Sequence, residues 1–570
     1  MSTSRKALWS VCLSASLACD DNPPPAPPSV AMGDTLVVGV GQDARDLLAP
    51  LAQSAFDLAL LDLLGTRPLD VHFDCELSYV PGFAKEWTWS EDGRTLDLVL
   101  RDDLAWSDGT PVRARDLVLL GELIRDPAVG SPRAANLAQL TPGSPEAVDD
   151  THVRYTFEAR GQPTIMAANV GLLQLVPSHL LDDPALERKG LRTHPLNTTA
   201  PVSSGYWQLA SWEKGKTLVF EPNPHHPGPA PGLARVVFRV LPDYDTRLLE
   251  LRSGRIDMME AVQIVDADKL VAEQPDIKLR TRGYRAQDYI GWNNVDPAAY
   301  QAAAAGGERP DVATLPRHPL FGDPAVRHAL SMAIDVDRII ADVLTSQATG
   351  KAYAVRAVST ITPELCATRD AGITPIGFDV EAAKVALARA GWSDTNGDGV
   401  VDKGGVPFRF TMIMPTGSAR RVQVSTIVQG QLAAVGVDVQ IEALDPGALF
   451  ERLRRRDFDA AYTGWSAGLW VEPSSAWGKD SDFNFTSYQD AEVQALLEAG
   501  SREPDPTKAA EIWRKFQRRI YDDQPYTFLY WMDEIVAVDG RFDNTDVNLV
   551  SPWSHLERWT VAPDKVKYRE

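Results

Sequence analysis

Leu98 to Leu120, LVLRDDLAWSDGTPVRARDLVLL, sets an amphipathic strand, a sharp turn and a helix in a fixed order. Across Thr95–Arg101, Leu96, Leu98 and Leu100 share one face while Asp97, Val99 and Arg101 share the other, the period-two pattern of a half-buried strand. Ser107-Asp108-Gly109-Thr110-Pro111 then turns the chain. After the turn, Ala114, Leu117, Leu120 and Ile124 recur at helical spacing, which predicts a helix with one apolar stripe packed on the neighbouring sheet. The unit is architectural, since none of its side chains can do chemistry alone.

Further along, the same local logic gives a second α/β region. Asp323 can cap a helix with Pro324 at its first position and Val326, Ala329, Leu330, Ala333 and Ile334 as its buried stripe. Asp335 can cap the helix that follows. Phe408, Phe410, Met412 and Met414 alternate as a strand, as do Val437, Val439, Ile441 and Ala443. Between them Val424, Ile427, Val428, Leu432 and Val435 form a helical stripe ending at Gly436. Strand, helix, strand is the right-handed crossover unit of an α/β lobe.

With 570 residues the chain exceeds one ordinary core, so two or three lobes of about 100 to 200 residues each are expected. Hydrophobic residues make up 44% and charged residues 24%, ordinary globular usage. The formal net charge of −21 repels phosphate backbones and argues against nucleic-acid binding. No internal repeat appears.

In wording and position the opening stretch resembles the corresponding block of the family 5 extracellular solute-binding proteins, the peptide- and nickel-binding class that serves ABC importers. Further blocks follow in that family's order: SSGYWQLASWEKGKTLVFEPNP at Ser203–Pro224, with Ser204 where proline is usual; LRSGRIDMM at Leu251–Met259; DYIGWNN at Asp288–Asn294; HPLFGDPAVRHALSMAIDVDRII; DVEAAKVALARAGW; FDAAYTGW; and QPYTFLYW. The resemblance implies an α/β, two-lobed, type II periplasmic-binding-protein-like fold with a hinge, an inter-lobe cleft and a small extra subdomain. It implies lobe I from residues 33–70, 200–287 and 523–570, the subdomain from 71–199, and lobe II from 288–522. It further implies a monomeric protein that captures a peptide or related small molecule and delivers it to an inner-membrane permease, without enzymatic activity.

At the N-terminus, Arg5 and Lys6 precede an apolar run from Ala7 through Ala18, the pattern of an export signal over residues 1–18. Ser16-Leu17-Ala18-Cys19 resembles a lipoprotein cleavage box with leucine one place out of its usual position, so Cys19 is the expected lipidation site. Residues 19–32, proline-rich and charged, would tether the body to the membrane in the periplasm, the alternative being ordinary secretory cleavage nearby. Because the resemblance assigns Cys75 and Cys366 to different lobes, two separate thiols are expected, although an exported compartment permits a disulfide.

By resemblance, Gly464 and Trp465 lie at the cleft, with Tyr462, Trp292 and Asn293 as further candidates. Many peptide-binding relatives place an aspartate nearby to fix a ligand's α-ammonium group, yet this stretch reads GWSAGLWVEP. Gly468, Leu469, Trp470 and Val471 fill that region, and Glu472 is the one carboxylate close by: either it substitutes, or it is a surface loop acid and the ligand lacks a free amino terminus. Trp470 and Trp477 can line an aromatic pocket or simply pack. GWSAG also matches the G-x-S-x-G elbow of serine hydrolases, which makes Ser466 a nucleophile in an alternative enzyme reading; the residues that follow lack a helical stripe, and His555 is the one histidine downstream. No cofactor is expected, but Asp394, Asn396, Asp398, the Val400 carbonyl and Asp402 follow a calcium-loop spacing that fails at its twelfth position, Gly405. A polar hairpin turn accounts for the same residues. His225-His226, in a proline-rich loop, reads as solvent-exposed rather than metal-binding.

Overall fold

A mixed eleven-stranded sheet runs through the whole molecule, and two of its strands are long enough to belong to both halves. The computed structural model describes residues 34–553 and 555–568; the expected signal, tether and Cys19 lie outside the described residues. Ile277–Trp292 and Tyr526–Asp539 pair antiparallel over almost their full length, Ile277 opposite Asp539 and Gly291 opposite Tyr526. At ~3.3 Å per residue such strands reach roughly 50 Å, enough to pass from one lobe into the other. On one flank the second half of Ile277–Trp292 pairs with Ala460–Ser466, followed by Arg409–Pro415 and Asp438–Leu444. On the opposite flank the end of Tyr526–Asp539 pairs with Met258–Met259, followed by Thr35–Val40, Arg235–Val240, Thr217–Pro222 and Trp207–Glu213.

The opening stretch folds as its pattern predicts. Strand Thr95–Leu100 lies inside a separate four-stranded sheet, between Ala84–Trp89 and His152–Thr156. Leu96, Leu98 and Leu100 are buried in one core with Ala114, Leu117, Leu120 and Ile124 of the helix Ala114–Arg125. Each buried leucine contributes ~2 kcal/mol of transfer free energy. The turn is closed by Gly109 N donating to the Trp106 carbonyl and Trp106 N donating to that of Thr110. Buried Asp116 ties strand, turn and helix together, accepting from Trp106 Nε1 at 3.2 Å, Arg113 N at 2.9 Å and Ser178 N at 2.8 Å.

In the other half, Arg409–Pro415 and Asp438–Leu444 run parallel and are joined by the helix Ala419–Ala433, the crossover unit read from the sequence. Asp323 and Asp335 cap their helices, accepting from Ala325 N and Arg338 N at 2.9 Å each. The first helix ends at Met332, so Ala333 and Ile334 leave it, but both are fully buried in the same core.

One expectation is overturned: Cys75 and Cys366 are joined in a disulfide, with Cα atoms 4.8 Å apart. The reason is a hairpin, Leu69–Asp74 with Glu76–Pro81, that leaves its own body and crosses to the other half. Cys75 stands at its tip with φ +62°. Phe73, next to the tip, packs against the cluster of Trp477, Tyr289 and Phe528 in the opposite half. Peptide mapping without reductant should therefore recover Cys75 and Cys366 in one linked fragment. Replacing both by serine should lower the melting temperature by several degrees, since closing a long loop contributes about 2–5 kcal/mol.

Candidate functional site

Between the two halves lies a cavity of about 510 Å³. One wall is the end of the first strand, from Gly39 to Gln42, together with helix Ala55–Leu64; the facing wall is Gly468-Leu469-Trp470 and the crossing strand. Val550 to Trp553 complete the lining. Neither lobe alone encloses this space.

Five guanidinium groups line the cavity, those of Arg67, Arg133, Arg247, Arg282 and Arg285, against the carboxylates of Asp62 and Glu260. Two of the arginines come from RTRGYR in the crossing strand. Three residues apart on a regular strand, Arg282 and Arg285 would face opposite sides. A bulge between Thr281 and Tyr284 resets the alternation, and both line the cavity. Gly283 makes the bulge possible: φ is +89°, and an added Cβ would lie 2.6 Å from Leu549 Cδ1 and 2.9 Å from Glu364 Oε1. Its N–H donates to Asp533 Oδ1 at 2.8 Å, and that of Tyr284 to Glu364 Oε1 at 2.9 Å.

Pairing among these charges is uneven. Arg67 lies 3.3 Å from Asp70 and 3.5 Å from Asp62, and Arg282 lies 3.1 Å from Glu534 and 3.9 Å from Glu260. Arg285 instead donates to the carbonyls of Ala467 at 3.0 Å and Leu549 at 2.9 Å, and Arg247 to those of Leu241 and Pro242. Arg133 Nε is buried with no acceptor. Burial pushes the pKa of Arg133 and Arg285 down, Arg282 adding to the effect on Arg285. The carboxylates move the opposite way. Burial raises Asp62 against the pull of Arg67 and Gln174. Glu260 rises to about 7, first through burial and then through the charge of Glu534, with Arg282 opposing.

A second hollow of about 260 Å³ opens beside the cleft and shares Gly468 and Trp470 with it. Here the structure gathers most residues singled out from sequence: Trp465, Ser466, Gly468, Trp470 and Glu472, with Trp531 and Phe483. Trp465 stacks on Phe485 at 5.6 Å. Glu472 Oε1 accepts from Ser474 N at 3.1 Å and stabilises the start of a short helical turn. Trp477 is a core residue, fully buried against Tyr526 at 4.6 Å.

The nucleophile-elbow reading of Ser466 fails on geometry. Ser466 is the last residue of a regular strand, paired with Ala286, and no helix follows directly. No histidine or aspartate lines the hollow it faces.

Three other candidates sit away from the cavities. Trp292 is fully buried and donates to Thr527 Oγ1 at 3.0 Å; Asn293 is buried and donates to the carbonyls of Phe458 and Arg456. Tyr462 is buried in a charge cluster, its hydroxyl 3.0 Å from Asp288 Oδ2 and 2.8 Å from that of Tyr530. Arg420 and Arg421 both pair with Asp288; burial alone would raise its carboxyl, but the two guanidinium groups outweigh burial and hold it below the ordinary value. Gly464 is glycine for a packing reason. It lies opposite Asp288, and a Cβ would come within 2.4 Å of the Gln287 carbonyl oxygen and 2.6 Å of Asp288 Oδ1.

In the expected calcium loop the side chains serve the loop itself. Asp394 accepts from Gly397 N at 2.7 Å and Gly399 N at 2.9 Å, Asp398 accepts from Val400 N at 2.9 Å, and Asp402 accepts from Thr395. Asn396 bonds Asp398. Among the described residues no group of three His, Cys, Asp or Glu converges as for a metal ion. None of their helices is long and apolar enough to cross a membrane.

Residues 78–487 match the family model of bacterial extracellular solute-binding proteins, family 5. The chain is 26% identical over 394 residues to the oligopeptide-binding protein AppA of Bacillus subtilis (strain 168), covering 68% of this chain and 67% of that protein. It is 27% identical over 528 residues to Protein XP55 of Streptomyces lividans, covering 90% and 87%. The crystal structure of NikZ from Campylobacter jejuni in complex with Ni(L-His) superposes with a TM-score of 0.74 at 20% identity, covering 93% of this chain and 99% of that one. That likeness shows the fold, a two-lobed type II periplasmic binding protein.

Glu260 makes stability depend on pH in a stated direction. Its ordinary pKa of 4.5 becomes about 7 in the fold, so between these values the folded state holds a proton the unfolded chain has released. Stability from this group therefore falls as pH rises through that window. Glu260→Gln should melt a few degrees above the parent near pH 8 and level with it below about pH 5, read by differential scanning calorimetry. Added calcium should leave the parent's melting temperature unchanged, because among the described residues no three acidic ligands of this loop converge.

Proposed function

Because the chain belongs to family 5 of the bacterial extracellular solute-binding proteins, the ligand-capturing components of ABC importers, we propose that it takes a peptide or related small molecule into the inter-lobe cavity, releases it chemically unchanged and hands it to a membrane permease. The observation that carries this reading is the cavity itself, which needs both halves for its walls while two adjacent strands and a disulfide-tipped hairpin cross between them. A ligand touching both walls stabilises the closed arrangement by its differential affinity, and the closed arrangement is what a permease can recognise.

Within the cleft, Gly468 and Trp470 serve as contacts from lobe II, and the aromatic hollow around Trp465, Trp470 and Trp531 receives an apolar part of the ligand. Ser466 and Glu472 supply polar contacts there. Gly468, Leu469, Trp470 and Val471 fill the region where an ammonium-binding acid is usual in peptide-binding relatives, and Glu472 accepts from Ser474 N, so recognition does not centre on a free amino terminus. AppA binds oligopeptides and NikZ was solved with Ni(L-His), which brackets the range of cargo for this fold. Lipidation at Cys19, a monomeric state, a periplasmic location at the membrane and the absence of catalysis complete the proposal.

Native mass spectrometry of protein purified without refolding tests it, followed by thermal-shift screening of whatever mass is retained. A true ligand at ~100 times its Kd adds about 2.7 kcal/mol of stability. It should be recovered intact, and Ser466→Ala should not convert it or make it accumulate. A hydrolysed product that disappears in Ser466→Ala would overturn the proposal.

A further inference from the structure

We propose that the cargo of the inter-lobe cavity is a small polycarboxylate, with at least two carboxylates held by Arg133, Arg247 and Arg285. The inference rests on the reading of this cavity as the capture site and names the chemical class it takes.

Sign of charge is the first argument. The whole chain carries −21, yet five guanidinium groups and two carboxylates line the cavity. A cavity that reverses the sign of its own protein is not general solubility; it focuses a positive potential on whatever enters. Pairing is the second argument. Among the described residues, Arg67 and Arg282 have carboxylates within 4 Å, whereas Arg133, Arg247 and Arg285 have none. A guanidinium presents five donors, and half-buried ones left on backbone carbonyls or with no acceptor are costly unless an anion completes them. Arg133 Nε and Arg282 Nε are both buried and unsatisfied.

Geometry is the third argument. Arg133 comes from the small inserted body, Arg247 from the helix Tyr244–Arg252 of the first lobe, and Arg285 from the crossing strand beside Ala467 and the Gly468 loop. One carboxylate can engage one fork bidentately, so anchoring three forks from three bodies calls for more than one acid on the ligand. One of the cavity's own acids yields to such a ligand: burial and the charge of Glu534 raise Glu260 to about 7, so it can take up a proton when an anion arrives. Size fits, since about 510 Å³ holds a tripeptide or a tricarboxylic acid but no large polymer.

Isothermal titration of the full chain with triglutamate, tricarballylate, trialanine and trilysine decides the matter. At least one acid should bind ~10-fold or more tightly than trialanine, trilysine should give no heat, and added salt should weaken the acid. Which acid binds separates a peptide source from a non-peptide one. Arg133→Gln and Arg285→Gln should each weaken it ~10- to 100-fold with unchanged circular dichroism, and Arg133→Lys should retain part of the affinity because it keeps the charge without the fork. Trialanine or trilysine binding as tightly as the acids would overturn the inference and leave solute capture standing. Failure of both acids at millimolar concentration would also overturn it, and a ligand of another class retained in the native mass spectrum would then show that capture itself survives.

Discussion

Antiparallel hydrogen bonding between Ile277–Trp292 and Tyr526–Asp539 is the constraint on which everything else in the molecule depends. These strands make one sheet out of two lobes, so the halves cannot separate, only bend. Bending concentrates where the ladder is already broken. Register shifts fall between Thr281 and Tyr284, Tyr284 and Ala286, and Asp288 and Tyr289, all in the middle of the pair. A bulge removes ladder bonds and tolerates a change of angle that a continuous ladder resists. The same irregularity turns Arg282 and Arg285 to one side, so the segment that permits flexure also supplies charge to the cleft.

Charge on both walls gives the cleft a reason to respond to its contents. With no anion present, Arg133, Arg247 and Arg285 line one cavity without a carboxylate of the described residues within 4 Å, and closure brings like charges together. Such juxtaposition costs free energy, more so as water leaves. A ligand that supplies carboxylates reverses the sign of that term, and its binding energy then appears as closure. Hydrophobic cargo alone would have no such leverage, though the neighbouring aromatic hollow can still discriminate among side chains.

Local pattern revealed a good deal of this fold. Period-two leucines at 96, 98 and 100, the capping aspartates at 323 and 335, and the strand-helix-strand unit from Arg409 to Leu444 are determined by nearest neighbours in sequence, and each forms as read. Resemblance put Trp465, Gly468 and Trp470 together, and the three line one hollow. Trp292, Asn293 and Tyr462 are buried away from the cavities, because a residue on or beside a central strand reads alike in sequence whether it faces a cleft or a buried cluster. The arginines were missed for a different reason. Arg133 and Arg247 stand on segments that mean nothing together until the chain is folded. RTRGYR did carry a local sign, a glycine inside a strand, which marks a bulge and so a change of facing.

The disulfide adds a mechanical condition to the hinge. Two adjacent strands define a single bending line, and a third covalent link away from that line limits how far the lobes can part. The Leu69–Pro81 hairpin is held both at its base and at its tip. There Cys75 is bonded to Cys366, and Leu77 packs with Leu469 and Leu549, while Val71, Phe73 and Tyr79 lie against the same cluster beside Trp470. At its base Leu69 is fully buried in the core of its own body, Tyr79 Oη donates to the Thr164 carbonyl at 2.6 Å, and Phe83 N and Ala84 N donate to the carbonyls of Arg67 and Pro68. The hairpin is therefore a strut between the halves whose base lies against Arg67, which lines the cleft and pairs with Asp62. Anything that holds Arg67 and the facing arginines in one arrangement holds the strut as well, so occupancy of the cavity and the angle of the hairpin are linked through a residue that belongs to both.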